Sequence, residues 1–464
     1  MADEKKDLRA IVIPAVEKVL QSDELGVVLA NYRRDIVVRF VREEIEKLRD
    51  KAAAGKEVGD STPGALAKKV TLRFAHLEAA PPVMVVNATG IVLHTNLGRS
   101  ILSAKARAVL HAAAASYCDL ELDLETGERT RRDIRLEQLI CALTGAEAAT
   151  VVNNNAGAVF LALNTIAEGR EVITSRGELV EIGGSFRVPD VVSKSGAIMR
   201  EVGTTNRTKL KDYESVINDN TALLLKTHTS NFRVVGFTEE VETSELVKLG
   251  KKHGIAVMVD LGSGYIAPEE GPEINEPDVI GTMADGPDVL TFSCDKLMWG
   301  PQGGIAIGGK KYIDAMRRNS IWRVLRIDKL IAAALGATLV DYLKKGPVMK
   351  EGDMPWMISR SQDELRRTAK KLAGLLRKAK PGWEISIVDG PGSYGGGSVP
   401  GQEIPSKLLV INSDTISPDE LDKKLRKGHP PVIGYFYKGA YAMNVLTLLP
   451  GDVGHIVECF KELP

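Results

Sequence analysis

Asp288-Val-Leu-Thr-Phe-Ser-Cys-Asp-Lys296 is an apolar, β-rich run that ends in a lysine and is closely followed by the turn-forming Gly300-Pro-Gln-Gly-Gly304. The pattern predicts a buried strand that gives way to a loop at Lys296. Burial at such a position disfavours the charged ammonium and therefore favours the neutral, nucleophilic amine. Lys296 is thus a candidate Schiff-base lysine, and a solvated loop cation is the alternative interpretation.

An aspartate ends a second buried-strand pattern upstream, Ile255-Ala-Val-Met-Val-Asp260. Enzymes that use pyridoxal phosphate (PLP) need both groups, because the lysine binds the aldehyde and an acidic partner holds the pyridinium nitrogen. An ordinary turn residue at a strand end is the alternative interpretation of Asp260. The pair makes PLP the candidate cofactor.

Length and composition exclude several classes of protein. The chain of 464 residues is too long for one ordinary core, so two or three domains are expected. A formal net charge of +0 means that any nucleic-acid contact must come from local patches. The charged N-terminus has no apolar stretch of a signal peptide, and the longest apolar run, Ile331 to Val340, is about half of a membrane span. No Cys-x-x-Cys pair occurs, so we expect no metal site, no disulfide framework and a cytoplasmic location.

Three regions are predicted along the chain. Residues 1–74 have apolar positions at helical spacing and predict a helical domain, with a loop over Gly55 to Gly64. Residues 75–343 alternate β-rich runs with amphipathic helices, which predicts a large α/β domain with a mostly parallel sheet. Residues 344–464 begin with a helix, Gln362 to Ala379, and predict a small C-terminal α/β domain. The strand candidates are Ala149–Val152, Glu171–Thr174, Ala222–Lys226, Ile255–Val259, Val289–Phe292 and Ile305–Ile307.

A phosphate site is predicted where Val151-Val-Asn-Asn-Asn-Ala-Gly-Ala158 leads from a strand into an apolar helix. Exposed amides at that helix N-terminus, at Asn155, Ala156 and Gly157, form an anion pocket that small side chains leave open. The hydroxyl of Ser293 is placed to add a contact. An asparagine-rich loop without a ligand is the alternative. In chain order, however, this loop, the aspartate and the lysine follow the order of fold-type-I PLP enzymes.

Two further motifs have different interpretations. His228 follows the strand candidate Ala222–Lys226, which places it to contact the cofactor ring or its phenolic oxygen; a satisfied structural histidine is the alternative. Gly390-Pro-Gly-Ser-Tyr-Gly395 matches G-x-G-x-x-G, but the Gly396-Gly-Ser-Val-Pro400 that follows cannot begin a regular helix. A dinucleotide fingerprint must open a helix, so we interpret this match as a structural turn or active-site loop.

Longer motifs occur in order over most of the chain. They include Asn87-Ala-Thr-Gly-Ile-Val-Leu-His-Thr-Asn-Leu-Gly-Arg99, Val152-Asn-Asn-Asn155, Glu178-Leu-Val-Glu-Ile-Gly-Gly-Ser-Phe-Arg187, Glu201-Val-Gly-Thr-Thr-Asn-Arg207, His228-Thr-Ser-Asn231, Asp260-Leu-Gly-Ser-Gly264, Asp295-Lys296, Arg323-Val-Leu-Arg-Ile-Asp-Lys329 and Gly395-Gly-Gly-Ser398. In these motifs the chain resembles bacterial selenocysteine synthase, the L-seryl-tRNA(Sec) selenium transferase. The resemblance implies the fold-type-I PLP-dependent transferase fold, a helical N-terminal domain that binds tRNA(Sec), and a homo-oligomeric ring of dimers.

The resemblance also implies a reaction. L-Seryl-tRNA(Sec) would become L-selenocysteinyl-tRNA(Sec) with selenophosphate, through an aminoacrylyl-tRNA intermediate, and Lys296 would carry the Cα proton. By motif match, the phosphate-binding arginines of the family correspond to Arg99, Arg323 and Arg326. The last two are predicted at i and i+3 of a helix, where they project from one face as an anion clamp. A solvated basic helix face is the alternative interpretation.

The chain departs from the family pattern close to the lysine. Cys294 replaces the usual glycine, Trp299 stands where a small residue is typical, and Thr130-Arg131 replaces a usual Gly-Ser pair. A space-filling thiol is a better interpretation of Cys294 than a nucleophile. Two alternative functions stay open: a PLP lyase of the same fold acting on a small amino sugar phosphate or amino acid, and a non-catalytic tRNA-binding homologue. The helical N-terminus argues against the first, and Lys296 together with Asp260 argues against the second.

Overall fold

The computed structural model describes residues 13–55, 59–78, 82–182, 186–267, 274–344, 351–395 and 397–463. The chain forms two compact units, divided between Met84 and Val85. Among the described residues, no helix combines the length and the apolar character that crossing a bilayer requires.

The first unit is helical. Its helices are α1 (Val16–Leu20), α2 (Gly26–Asn31), α3 (Arg34–Ala53) and α4 (Pro63–Glu78). Val37, Val41 and Leu48 of α3 recur at helical spacing and are buried against α4, as expected for an amphipathic pair. The sequence from Ile11 to Leu29 has apolar positions at helical spacing, which predicts a single helix. The structure instead has two, because a 3₁₀ turn over Asp23–Leu25 separates α1 from α2. Residues 11 and 12 lie outside the described residues.

The second unit contains the other elements of the fold. Its strands are β1 (Val86–Asn87), β2 (Ala148–Val152), β3 (Glu171–Ser175), β4 (Glu181–Ile182), β5 (Phe186–Arg187), β6 (Ile198–Val202), β7 (Thr221–Thr227), β8 (Ala256–Gly262), β9 (Val289–Ser293), β10 (Gly304–Gly308), β11 (Glu384–Ser393), β12 (Glu403–Asn412), β13 (Val432–Ile433), β14 (Tyr435–Tyr437) and β15 (Ala440–Asn444). Its helices are α5 (Ala104–Ala115), α6 (Ile134–Thr144), α7 (Asn155–Ala167), α8 (Val188–Lys194), α9 (Leu210–Glu214), α10 (Thr243–His253), α11 (Val279–Ala284), α12 (Lys310–Arg318), α13 (Ser320–Val324), α14 (Lys329–Tyr342), α15 (Met354–Ser359), α16 (Gln362–Ala379), α17 (Pro418–Leu425) and α18 (Asp452–Lys461).

A seven-stranded sheet forms the centre of this unit, in the order β2-β10-β9-β8-β7-β3-β6. β10 is antiparallel to both of its neighbours, and the other pairs are parallel. Both faces are buried: Ala149 and Val151 pack into one core, while Ala148 and Val152 pack into the other. This two-sided burial explains the continuous apolar runs in the sequence and confirms the predicted mostly parallel sheet.

The six strands predicted for the central sheet are present, with one shift and one omission. β8 continues to Gly262, so Asp260 lies within the strand and pairs with Thr227 on β7 and Thr291 on β9. The sequence reading missed β6, an edge strand whose residues Arg200 and Glu201 are exposed. Its polar, one-sided sequence lacks the apolar signal of the central strands.

A second sheet, β11-β12-β15-β14, is antiparallel and packs against α16, which in turn contacts α18. Its core includes Val86, Val92 and Leu93, and β1 pairs with β13. Residues assigned by sequence to the larger region therefore pack with the C-terminal residues. The strand β11 runs through Gly390 to Ser393, so the G-x-G-x-x-G match does not open a helix, as predicted.

The contact between β10 and the loop before α7 gives a test of this packing. A Cβ on Gly304 would overlap the backbone oxygen of Asn154 and lie 2.6 Å from the backbone nitrogen of Asn155. We expect Gly304→Ala to lower the free energy of unfolding by about 1–3 kcal/mol, because backbone atoms must move. Gly374→Ala in α16 is the control, since nothing lies within 4 Å of its Cβ position. That change should raise stability by about 0.5–1 kcal/mol in urea unfolding; equal effects of the two substitutions would contradict the packing.

Candidate active site

Lys296 lies in the loop after β9 and is only 5% exposed. Its Nζ donates a hydrogen bond of 3.2 Å to the backbone oxygen of Gly397. Burial lowers the pKa of the Lys296 amine, the positive charge of Arg99 lowers it further, and Asp260 and Asp295 oppose the shift. The alternative of a solvated loop cation is therefore wrong, and the amine has the environment of a nucleophile.

Asp260 is buried on the neighbouring strand β8. Its Oδ1 accepts hydrogen bonds from Asn155 Nδ2 at 2.8 Å, Thr291 Oγ1 at 3.2 Å and the Gly262 amide at 3.2 Å. Burial raises the pKa of the carboxyl, while these donors favour its ionised form. The carboxylate is thus held in one orientation by groups from three segments of the chain, as a partner for a buried cation requires.

The loop before α7 has the predicted helix N-terminus, but one of its amides is already used. The side-chain oxygen of Asn154 caps the helix by accepting a 2.8 Å hydrogen bond from the Gly157 amide. Asn155 reaches Asp260 through its side chain, and Ala156 is exposed. The prediction of an anion pocket therefore needs a correction at Gly157, because the Asn154 side chain competes with any anion for the Gly157 amide. Ser293 ends β9 and is buried.

Two buried hydroxyls near the lysine have no hydrogen-bond partner among the described residues: Ser230 Oγ and Ser263 Oγ. A Cβ on Gly262 would lie 3.7 Å from Ser230 Oγ and 3.9 Å from Lys296 Nζ. The Ser230 hydroxyl and the lysine amine therefore border the same glycine. Buried polar groups are normally paired. Unpaired hydroxyls beside a buried lysine and a buried aspartate fit a polar cofactor such as PLP.

His228 joins this centre through its backbone and its ring. Its amide donates to the backbone oxygen of Asp260 at 2.9 Å, directly after β7. Its Nε2 lies 3.1 Å from Oε2 of Glu276, whose side chain is fully buried. Sequence reasoning missed Glu276, because it lies in a loop and belongs to none of the recognised motifs.

A cavity of about 270 Å³ adjoins His228 and Glu276. Glu178 lines it and is buried, which raises the pKa of its carboxyl to about 7. Its Oε2 accepts a 3.0 Å hydrogen bond from the Thr227 amide, and Lys226 Nζ lies 3.6 Å from Oε1. Glu178 therefore holds the end of β7, from which His228 follows.

The three predicted arginines occupy two places. Arg99 Nη1 forms a 2.8 Å ion pair with Asp295, beside the lysine, and its backbone has a left-handed φ of 60°. Arg323 and Arg326 line a separate cavity of about 440 Å³. The cavity is also lined by Glu121, Arg129, Thr130, Arg131, Arg132 and Trp322. Five arginines and one glutamate make its lining basic.

The predicted spacing of Arg323 and Arg326 on one helical face is wrong. α13 ends at Val324, and Arg326 forms an antiparallel bridge with Val152 at the end of β2. The Asn153 amide donates to the backbone oxygen of Leu325 at 2.9 Å, so strand-like pairing replaces the next helical turn. Arg326 thus lies beside the asparagine-rich loop. The pKa of its guanidinium is lowered by desolvation and by the charges of Arg132 and Arg323.

The departures from the family pattern are packed into the structure. Cys294 is fully buried, burial raises the pKa of its thiol well above the usual range, and its amide donates to Gly303. These properties support a space-filling thiol. Trp299 has a left-handed φ of 55° and packs against the core of the second sheet.

Comparisons with known proteins agree with this geometry. The L-seryl-tRNA selenium transferase (SelA) family model matches residues 85–449. A protein of Geobacter sulfurreducens named L-seryl-tRNA(Sec) selenium transferase is 44% identical over 97% of this chain and 98% of its own. The protein of the same name from Maridesulfovibrio salexigens is 45% identical over 97% of this chain and 98% of its own. The one from Clostridium botulinum (strain Okra / Type B1) is 42% identical over 99% of both chains. The chain belongs to the L-seryl-tRNA selenium transferase family.

The fold of this family member is that of fold-type-I PLP enzymes. The solved structure of D-glucosaminate-6-phosphate ammonia-lyase is similar in fold, with a TM-score of 0.57 and 19% identity over 84% of this chain and 97% of that one. PLP is the cofactor of the family, and the buried lysine, the oriented aspartate and the unpaired hydroxyls fit it.

The structure brings most of the predicted cofactor residues together. Asp260, Asn155 and His228 are joined by hydrogen bonds, and Lys296 lies near Gly262 beside them. Arg323 and Arg326 instead line a separate basic cavity. Ser230 and Ser263 were missed as site residues, although each lies in a recognised motif next to a predicted site residue. Their position inside those motifs was a usable signal.

Proposed function

We propose that this protein converts L-seryl-tRNA(Sec) to L-selenocysteinyl-tRNA(Sec), with selenophosphate as the selenium donor. The observation that carries the proposal is the pair Lys296 and Asp260, both of which are buried. They lie in a chain that is 44% identical, over 97% of its length, to a protein named for this activity. PLP held at this centre would supply an electron sink for the seryl Cα, so that the Cα proton and the β-hydroxyl could leave.

The residues of the chain have separate roles in this proposal. Lys296 accepts and returns the Cα proton, since burial lowers the pKa of its amine and increases the neutral fraction. Asp260, oriented by its three donors, would hold the pyridinium nitrogen of the cofactor. His228 would contact the cofactor, and Ser230 and Ser263 would supply hydroxyl groups to it. Asn155, Ala156 and Ser293 stay the proposed phosphate-side residues, whereas the amide of Gly157 is already bonded to the Asn154 side chain.

The basic cavity is the proposed site for the selenium donor. Arg323 and Arg326 border it, and guanidinium groups suit the oxygens of a phosphate because they donate in a planar fork. The Nε of Arg326 is buried without a partner in the described part of the chain, which supports an anionic ligand there. Arg99 is the third proposed anchor, from its position beside Asp295 and Lys296.

The proposed tRNA-binding part is the helical N-terminal unit. Exposed basic side chains on α3 and α4 support it, among them Arg42, Lys51, Lys68 and Lys69. Such local charge can bind a phosphate backbone even though the whole chain is neutral. The proposed domains, 1–74, 75–343 and 344–464, need two adjustments. α4 continues past residue 74 to Glu78, and Val86, Val92 and Leu93 pack in the core of the C-terminal sheet.

The proposal includes a homo-oligomer, a ring of dimers, and a cytoplasmic location. A groove of about 1120 Å³ on the second unit exposes apolar side chains that include Tyr117, Leu122 and Leu124. Contiguous apolar surface of this kind supports a protein partner, and a second copy of the chain is the proposed one.

The alternative functions have less support. The lyase with a similar fold is only 19% identical to this chain, so that likeness supports the fold alone. A non-catalytic homologue would have no need to keep a buried lysine beside an oriented aspartate.

The decisive assay measures transfer of ⁷⁵Se from selenophosphate to seryl-tRNA(Sec). We expect the wild type to be active and Lys296→Ala to lose both activity and the visible absorbance of bound PLP, because no amine remains to bind the aldehyde. Lys310→Ala, an exposed lysine at the start of α12, is the matched control and should retain both. A PLP-loaded wild type that ignores seryl-tRNA but processes a small amino acid would support the lyase alternative.

The basic cavity can be tested by separating the two half-reactions. We expect Arg326→Ala to lower ⁷⁵Se incorporation by about tenfold or more, because a charged hydrogen-bond donor to the anion is lost. Release of tritium from the seryl Cα should stay within about threefold of wild type, since Lys296 is unchanged. Arg318→Ala, an exposed arginine at the end of α12, controls for loss of charge. Equal loss in both half-reactions would remove the donor-binding role.

The proposed tRNA-binding role predicts that removal of the helical unit weakens tRNA binding but not PLP binding. Deletion of residues 1–84, cut at the division between the units, should weaken tRNA(Sec) binding by at least about tenfold while PLP absorbance is retained. Binding can be measured by filter retention at two salt concentrations, because a phosphate contact surface gives a salt-dependent affinity. Unchanged affinity after the deletion would contradict the assignment.

A further inference from the structure

Glu276 connects two parts of the active site with one carboxylate. Its Oε2 lies 3.1 Å from Nε2 of His228, and its Oε1 accepts a 2.6 Å hydrogen bond from the Val399 amide. The side chain is fully buried. A buried carboxylate is costly unless it is paired, and here each oxygen has its own partner.

Both partners of Glu276, His228 and Val399, are connected to the lysine centre through the backbone. The amide of His228 is bonded to the backbone of Asp260. On the other side, Val399 is two residues from Gly397, whose backbone oxygen accepts from Lys296 Nζ. Val399 also has a left-handed φ of 52°, an unfavourable conformation for a β-branched residue. The hydrogen bond to Glu276 helps to hold this backbone in place.

The carboxylate also decides which nitrogen of the histidine carries a proton. An ionised carboxylate only accepts hydrogen bonds, so the proton of the contact must sit on Nε2. Nδ1 is then the nitrogen that Glu276 does not engage. We propose that Glu276 is a positioning residue that sets the tautomer of His228 and anchors residues 397–399 against Lys296. This positioning role rests on the proposed function of the protein only where it is tested by enzyme kinetics.

Replacement by glutamine separates the two contacts. In Glu276→Gln the amide oxygen can still accept from Val399, but the amide nitrogen is a donor and favours His228 with its proton on Nδ1. Glu276→Ala removes both contacts. The matched control is Glu214→Gln, because Glu214 Oε1 forms a similar 3.3 Å contact with His253 Nε2 but is exposed.

The first readout is the protonation of the His228 ring in the holoenzyme. Solid-state NMR of protein containing ¹⁵N,¹³C-histidine distinguishes Nδ1, which is bonded to Cγ, from Nε2. A His228→Gln sample assigns the signal among the seven histidines of the chain. We expect the proton on Nε2 in wild type and Glu214→Gln, and on Nδ1 in Glu276→Gln. A proton that stays on Nε2 in Glu276→Gln would overturn the tautomer role.

The second readout is a split between kcat and KM. Glu276→Gln should retain PLP and a KM for seryl-tRNA within about twofold, while kcat falls by about tenfold or more, as for other residues that orient a site histidine. Glu276→Ala should in addition weaken PLP binding, since residues 397–399 lose their anchor. A kcat of Glu276→Gln within about twofold of wild type would overturn the catalytic relevance of the contact. A wild type without selenium transfer would defeat the proposed function, while the NMR result would still decide the positioning role.

Discussion

Removal of Lys296 from water is the physical constraint on which the rest of the second unit depends. An amine that is 5% exposed cannot keep its ordinary ammonium state without a cost, and its pKa is lowered accordingly. Burial at this place requires the buried end of β9 on one side and the segment around Gly397 on the other. The two larger sheets of the unit, with seven and four strands, thus each contribute a neighbouring segment to this lysine.

Hydrogen bonds around the lysine form a connected set rather than a collection of single contacts. Asn155 ties the loop before α7 to Asp260, whose backbone is tied to His228. Glu276 then connects His228 to Val399, close to the acceptor of the lysine. Because the carboxylates of Asp260 and Glu276 are buried, the loss of a partner would leave a buried carboxylate without a hydrogen bond.

Charge is distributed between two separate places in this unit. Beside the lysine, Arg99 forms an ion pair with Asp295, and its positive charge lowers the pKa of the Lys296 amine. In the basic cavity, five arginines surround the single glutamate Glu121. An anionic donor would therefore be attracted to the basic cavity, while the lysine centre stays suited to a neutral amine.

The amino-acid sequence by itself determined the elements and the chemical identities of the centre. Apolar runs buried on both faces of a sheet are visible in sequence, so β2 and β9 were predicted within one residue of their ends. Lys296, Asp260 and His228 were recognisable because each lies at or near the end of such a run. Only the tertiary structure decided the contacts of Glu276, the break of the helix before Arg326 and the cap that occupies the Gly157 amide. The physical reason is that these three features depend on partners distant in the chain or on competition between local hydrogen bonds, and neither leaves a periodic pattern in the sequence.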